Sequence, residues 1–110
     1  MNYRVLKIFS REFKKMLKKY RTLEDDLENF KERFIAVDLV SNKNFAIVHQ
    51  NDKLMIIKSR LYCQTLKGQT LRIIFAYYQK EKIVEFIEIY FKGNKENEDK
   101  QRIKEYLNYV

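Results

Sequence analysis

Three runs of strand-forming residues, Leu54 to Tyr62, Thr70 to Tyr78 and Lys82 to Phe91, follow one another with only short polar breaks between them. Their β-branched and aromatic side chains suit a pleated, packed surface. The breaks at Lys67-Gly68-Gln69 and Gln79-Lys80-Glu81 carry turn residues. The runs predict an antiparallel meander, and every other segment must pack on that sheet or extend it.

Upstream, Tyr3 to Phe9 reads as a first strand, with Val5 and Phe9 on one face and Leu6 and Ile8 on the other. Ser10 is a helix cap, and Phe13, Met16, Leu17 and Tyr20 then recur at helical spacing, with Lys14, Lys15, Lys18 and Lys19 on the wet side. Thr22 opens a second helix with Asp25 in the capping-box position, and Leu23, Leu27, Phe30 and Phe34 form its apolar stripe. So short a break between the two predicts an antiparallel helical hairpin. From Ile35 to Lys53 the pattern is weaker: AVDLV and FAIVH fit a strand, a helix end or a packed loop, and SNKN reads as a turn. A last helix begins at Asn94 or Asn97, with Glu96, Glu98 and Asp99 near its positive end and Ile103, Tyr106, Leu107 and Val110 at helical spacing. The expected fold is α+β: an N-terminal strand and helical hairpin packed on a mostly antiparallel sheet, with a C-terminal helix.

A chain of 110 residues holds one core, so residues 1–110 are read as a single domain. With 45% apolar and 15% aromatic residues, no proline and two glycines, it carries too many core-forming side chains for a disordered chain. The formal charge of +8 attracts polyanions, nucleic acid or an acidic protein. Its distribution is informative: residues 55–80 hold Lys58, Arg60, Lys67, Arg72 and Lys80 and no acid. Such a run also suits a solvated sheet face. Cys63, the lone cysteine, excludes an intrachain disulfide framework and reads as a small buried hydrophobe in a reducing compartment. The N-terminus becomes charged before a signal-peptide apolar run develops, and no stretch of about 18 apolar residues occurs. A cytoplasmic protein without a membrane span is expected.

Alternation along a strand sends Lys58, Arg60 and Tyr62 to one face, and a neighbouring strand can bring Arg72 to the same surface. Converging cations suit a phosphodiester, because a guanidinium forks onto two phosphate oxygens and an ammonium adds a point charge. RNA and DNA are served equally. Tyr62, Tyr77 and Tyr78 are able to stack on unpaired bases, or to serve as strand packing. His49 is the only histidine, which rules out a paired-imidazole mechanism within one chain, and it reads as a polar or packing residue. The acidic groups Asp25 and Asp26, and Glu96, Glu98 and Asp99, read as helix-start charges and not as metal ligands, so no metal and no cofactor are expected. Glu85 and Glu88 fall on opposite faces of the last strand by alternation, and one of them is a possible partner for Arg72.

The order of elements, together with the segment SRLYCQTLKGQTLRIIFAYYQKEKIVEFIEIYFKGNKENEDKQRIKEYL, resembles the RelE/ParE superfamily of toxin-antitoxin systems. The likeness covers nearly the whole chain, is weakest from about residue 35 to residue 53, and is most specific in LRIIFAYYQKEKIVEFIEIYFKGNKEN. It implies a hairpin packed on one sheet face and an active surface on the other. It implies for RelE-like members a metal-independent endoribonuclease that cuts mRNA on the ribosome, the ribose 2'-hydroxyl attacking the adjacent phosphorus. By this likeness Arg72 in LRIIF holds the scissile phosphate, Lys58 and Arg60 match the basic pair of the preceding strand, and Lys92 ends the last strand with Lys95 as a substitute. Tyr62 and Lys67 complete the expected RNA contacts.

Three departures stand out. Asp99 occupies the position where RelE carries a tyrosine, Gly93 replaces an arginine, and no C-terminal histidine is present, which leaves the general acid without a residue. The likeness also implies a cognate antitoxin, a toxin-antitoxin hetero-oligomer, and the ribosome with its mRNA as partners. A ParE-like DNA gyrase inhibitor and a non-catalytic RNA- or antitoxin-binding member are the alternatives. The basic trio Lys58, Arg60 and Arg72 favours the ribonuclease.

Overall fold

The computed structural model of the chain describes residues 1–35 and 43–110. The expectations for AVDLV and for the first half of SNKN lie outside the described residues. The elements run β1 (Asn2–Val5), α1 (Lys7–Leu17), α2 (Leu23–Ile35), β2 (Phe45–Gln50), β3 (Met55–Tyr62), β4 (Thr70–Tyr78), β5 (Ile83–Phe91) and α3 (Lys100–Tyr109). They form an α+β architecture around one five-stranded sheet of order β1-β5-β4-β3-β2. The meander of β3, β4 and β5 is antiparallel as expected, β2 adds antiparallel to β3, and β1 pairs parallel to β5.

The central strands are buried on both faces, which is why they read as near-continuous apolar runs. On one face Leu23, Leu27, Phe30 and Phe34 of α2 and Phe9 of α1 pack on Ile57, Leu61, Ile73, Phe75 and Phe86. Phe86 is the hub of this layer, its ring centroid 5.4 Å from Phe9 and 6.0 Å from Phe75. On the other face Ile103 and Tyr106 of α3 cover a smaller cluster of Leu54, Ile56, Ile74, Ala76, Ile87 and Tyr90.

Three boundaries and one capping partner differ from the sequence reading. The first strand ends at Val5 because the helical stripe reaches back to Phe9, which stacks on Phe13 and is 1% exposed. Burial of that ring outweighs the strand propensity of the VLKIF run. Ser10 is therefore inside α1, whose cap is Leu6 without a side-chain bond. The carboxylate bonded to the Thr22 hydroxyl is Asp26 at 2.8 Å, and Asp25 faces solvent. The last helix starts later than Asn94 or Asn97, at Lys100, where Asp99 accepts from the Arg102 amide. FAIVH, left open above, is the edge strand β2, whose register shifts between Ile47 and His49.

A second register shift lies between Ile74 and Phe75, which pair with Glu88 and Phe86 and leave Ile87 as an extra residue of β5. Strand alternation restarts at this bulge. Glu85, opposite Ala76, and Glu88, opposite Ile74, consequently share the α3 face and do not lie on opposite faces.

Candidate nucleic-acid interface

Cross-strand pairing assembles the basic residues. Arg60 pairs with Arg72, and Arg72 with Tyr90, while Lys58, Ile74 and Glu88 form the next row. Paired residues share a face, and Ile74 and Tyr90 pack against α3, so these rows belong to the α3 side of the sheet. Lys67 lies in the β3–β4 connection, and Lys92 follows Phe91, which pairs with Leu71, so both occur at the same end of the sheet. Both are exposed, and Tyr62 is 51% exposed.

The cations are held differently. Arg72 donates through Nη1 to Thr70 Oγ1 at 2.6 Å and to the Leu71 carbonyl at 3.4 Å. Among the described residues no carboxylate is in ion-pair contact with Arg72 or Arg60. Lys58 Nζ lies 3.3 Å from Glu98 Oε1, so it faces a carboxylate as well as the neighbouring guanidiniums. Lys95 is bound to Glu88 and sits over the Tyr90 ring, 5.4 Å from its centroid. Glu88 is 1% exposed and also accepts from the Asp99 amide at 2.8 Å. These bonds fold the segment between β5 and α3 back over the strands.

The expected partnership of Arg72 with Glu85 or Glu88 is not formed. Glu85 instead accepts from the Tyr106 hydroxyl at 2.6 Å. Because that oxygen has one proton to give, Tyr78, 2.6 Å from Tyr106, is the donor of the second bond. Burial and these bonds raise the Tyr106 phenol far above the ordinary tyrosine range. Tyr78 is thus committed to α3, and Tyr77 is buried against Phe34 on the hairpin face, which leaves Tyr62 as the base-stacking candidate of the three.

Asp99 caps α3, its side chain accepting from the Arg102 amide. A Cβ at Gly93 would strike the Phe91 ring, which packs against the hairpin core, so an arginine there requires that ring to move. Cys63 is fully buried, and burial pushes its thiol up, as suits an inert core sulfur. Asp26 is 1% exposed and accepts from Thr22, the Gln64 amide and Gln64 Nε2, which ties the start of α2 to the β3–β4 connection. His49 lines a groove of about 590 Å³ with Val48, Glu98, Ile103 and Leu107. Among the described residues no three His, Cys, Asp or Glu side chains are grouped to hold a metal, and no helix is long and apolar enough to cross a membrane.

The roles of two residues of this face were not apparent from the sequence. Tyr90 is 6% exposed, and its hydroxyl has no hydrogen-bond partner among the described residues. Burial, then Glu98 and Glu88, push its phenol up to about 12, against a smaller opposing effect of Arg72. Glu98 looked like a helix-start charge, but it precedes the cap and reaches Lys58 instead. No pattern in EIYF or KENED announces either role, since both depend on how the connecting segment folds back.

No family model, no curated protein and no solved structure matches the chain.

Proposed function

We propose that the α3 face binds the phosphodiester backbone of RNA, and that the chain is a RelE/ParE-type toxin acting as a ribosome-dependent mRNA endoribonuclease. The observation that carries this reading is the cross-strand pair Arg60–Arg72 without an ion-pairing carboxylate among the described residues. Like charges directly opposite one another destabilise a sheet. A sheet that keeps two arginines at facing positions has a use for an anion, and a phosphate has acceptor oxygens enough for both.

In this reading Arg72, oriented by Thr70, forks onto the scissile phosphate and Arg60 neutralises its neighbour. The 2'-hydroxyl oxygen attacks phosphorus as its proton passes to water, the bond from phosphorus to the 5'-oxygen breaks, that oxygen takes a proton from water, and a cyclic phosphate and a 5'-hydroxyl remain. Charge gathering on the phosphoryl oxygens during the transfer is stabilised by cations already in place. Lys67 and Lys92 extend the basic track, Lys58 and Lys95 lie within it, and the exposed Tyr62 ring, which borders a groove with Asn29 and Arg33 of α2, offers a stacking surface beside it. The net charge of +8 suits an acidic antitoxin as the restraining partner in a cytoplasmic complex.

Induction of the chain in cells, followed by mapping of mRNA 5' ends, tests the reading. Codon-phased cuts within translated frames are expected, with growth rescued by co-expression of the antitoxin. Growth arrest accompanied by gyrase-dependent DNA breaks and intact messages would assign the chain to the gyrase inhibitors instead.

A further inference from the structure

The hydroxyl of Tyr90 is buried without a hydrogen-bond partner among the described residues, a state that costs free energy unless something else on the functional path supplies one. Sheet pairing sets Tyr90 beside Arg72, and the phenol responds electrostatically to Arg72, Glu98 and Glu88. Around it, Lys58, Arg60, Arg72 and Lys95 meet two carboxylates, Glu88 and Glu98. Glu88 is fixed: it sits on β5, almost fully buried, and is bonded to Lys95 and the Asp99 amide. Glu98 comes from the segment before α3 and is joined to the strands through Lys58. The two carboxylates therefore satisfy two lysines and leave two guanidiniums without a counter-ion among the described residues, Arg72 bonded to Thr70 and the Leu71 carbonyl, and one phenol without a partner.

We propose that Tyr90 is a substrate contact whose hydroxyl donates to an oxygen of the phosphate held by Arg72, and that Glu98 is the internal anion this phosphate displaces from Lys58. The proposal rests on the reading of this face as a phosphodiester site. A carboxylate offers two oxygens at the end of a short arm, and in the closed arrangement Glu98 reaches Lys58 while Tyr90 stays unbonded. A phosphate presents oxygens in several directions and can meet Arg72, Lys58 and Tyr90 together. Burial and the two nearby carboxylates keep the phenol protonated, so it contributes a donor without adding charge. The site thus prefers phosphate to its own carboxylate by geometry as well as by charge.

The test is a titration of the full chain with inorganic phosphate at constant ionic strength, read by the NMR signal of the Arg72 side-chain Nε–H and paired with urea unfolding. Wild type is expected to show saturable binding. Tyr90→Phe should weaken it about tenfold, the effect of one hydrogen bond to a charged group, with the unfolding midpoint unchanged or raised, because the hydroxyl has no bond to lose and its unbonded burial is unfavourable. Glu98→Gln should tighten it about fivefold by removing a competing ion pair. Wild-type affinity in Tyr90→Phe, or a loss of affinity that tracks a loss of stability, removes Tyr90 from the site, and unchanged affinity in Glu98→Gln removes the displaced anion. The underlying reading fails separately: Arg72→Gln, followed through the Nε–H signal of the paired Arg60, would then bind phosphate as wild type does, or neither wild type nor Glu98→Gln would bind it.

Discussion

The two faces of the sheet are built on the same strands, yet they bury their side chains on different terms. The hairpin face is closed by rings: Phe9, Phe30, Phe34, Phe75 and Phe86 meet at centroid distances between 5.1 and 6.3 Å, and the strands beneath contribute aliphatic and aromatic side chains. The α3 face has fewer apolar contacts and carries the charges, with Arg60, Arg72, Lys58, Glu85 and Glu88 among Ile74, Ala76 and Ile87. Its helix is fastened by polar groups: Tyr106 to Glu85, and Arg102 to Glu12 at 2.7 and 2.9 Å. One face can thus carry the stability while the other tolerates unpaired guanidiniums.

The sharpest way to break this contrast is to make the hairpin face hollow. Phe86→Ala should cost about 3–5 kcal/mol, because it removes the ring at the hub and leaves a cavity. Urea unfolding measures it, and a loss below about 1 kcal/mol would mean that the aromatic layer is not the main support. Arg72→Ala attacks the other face: single-turnover cleavage of ribosome-bound mRNA should slow by about 10²- to 10³-fold, as when one preplaced donor is lost from a charged transition state. The same variant should stay within about 0.5 kcal/mol of wild type in urea. Near-normal cleavage would take Arg72 out of the active surface.

A smaller effect separates a structural residue from the interface. Asp99→Ala removes the α3 cap and should cost about 1 kcal/mol, with cleavage preserved in a matched assay. Cleavage lost at intact stability would show that Asp99, which stands where RelE carries a tyrosine, touches substrate.

The mildest effect is on pH. Tyr90 and Tyr106 hold their protons more tightly folded than unfolded. Above the ordinary tyrosine pKa of about 10, the unfolded chain releases protons that the folded chain keeps, so stability is full below that pH and falls as pH rises toward about 12. Urea midpoints at about pH 9 and 11 should fall less for Tyr90→Phe than for wild type, and equal falls would refute the assignment.

Most of the hairpin face was legible in the sequence. The stripe Leu23, Leu27, Phe30 and Phe34 is the one that packs, and β4 has the predicted ends, because apolar periodicity and turn residues act locally. The α3 face was legible in its helical stripe, whose Ile103 and Tyr106 pack on the sheet, and in its strand alternation, which groups Lys58 and Arg60 with Arg72. Glu85 and Glu88 were misplaced because a one-residue bulge resets alternation and leaves no mark in EFIEI. FAIVH could not be resolved because an edge strand with exposed Ile47 and Val48 lacks the apolar-polar alternation that separates strand from loop. Lys58–Glu98 and Lys95–Glu88 depend on a connection folding back over the sheet, a long-range event that no local pattern encodes.

The bulge at Ile87 has a bearing on which lengths of this gene are viable. A chain one codon shorter at this point would pair β5 with β4 more regularly, since Phe86 and Glu88 would then alternate without interruption. It would also lose the Ile87 carbonyl, which accepts from Arg102 Nη1 at 3.2 Å, while the same guanidinium grips Glu12 on α1. The irregular residue is what lets one arginine join the last helix, the first helix and the strand between them. A shortened relative would gain a tidier ladder and would need a new hold for its C-terminus.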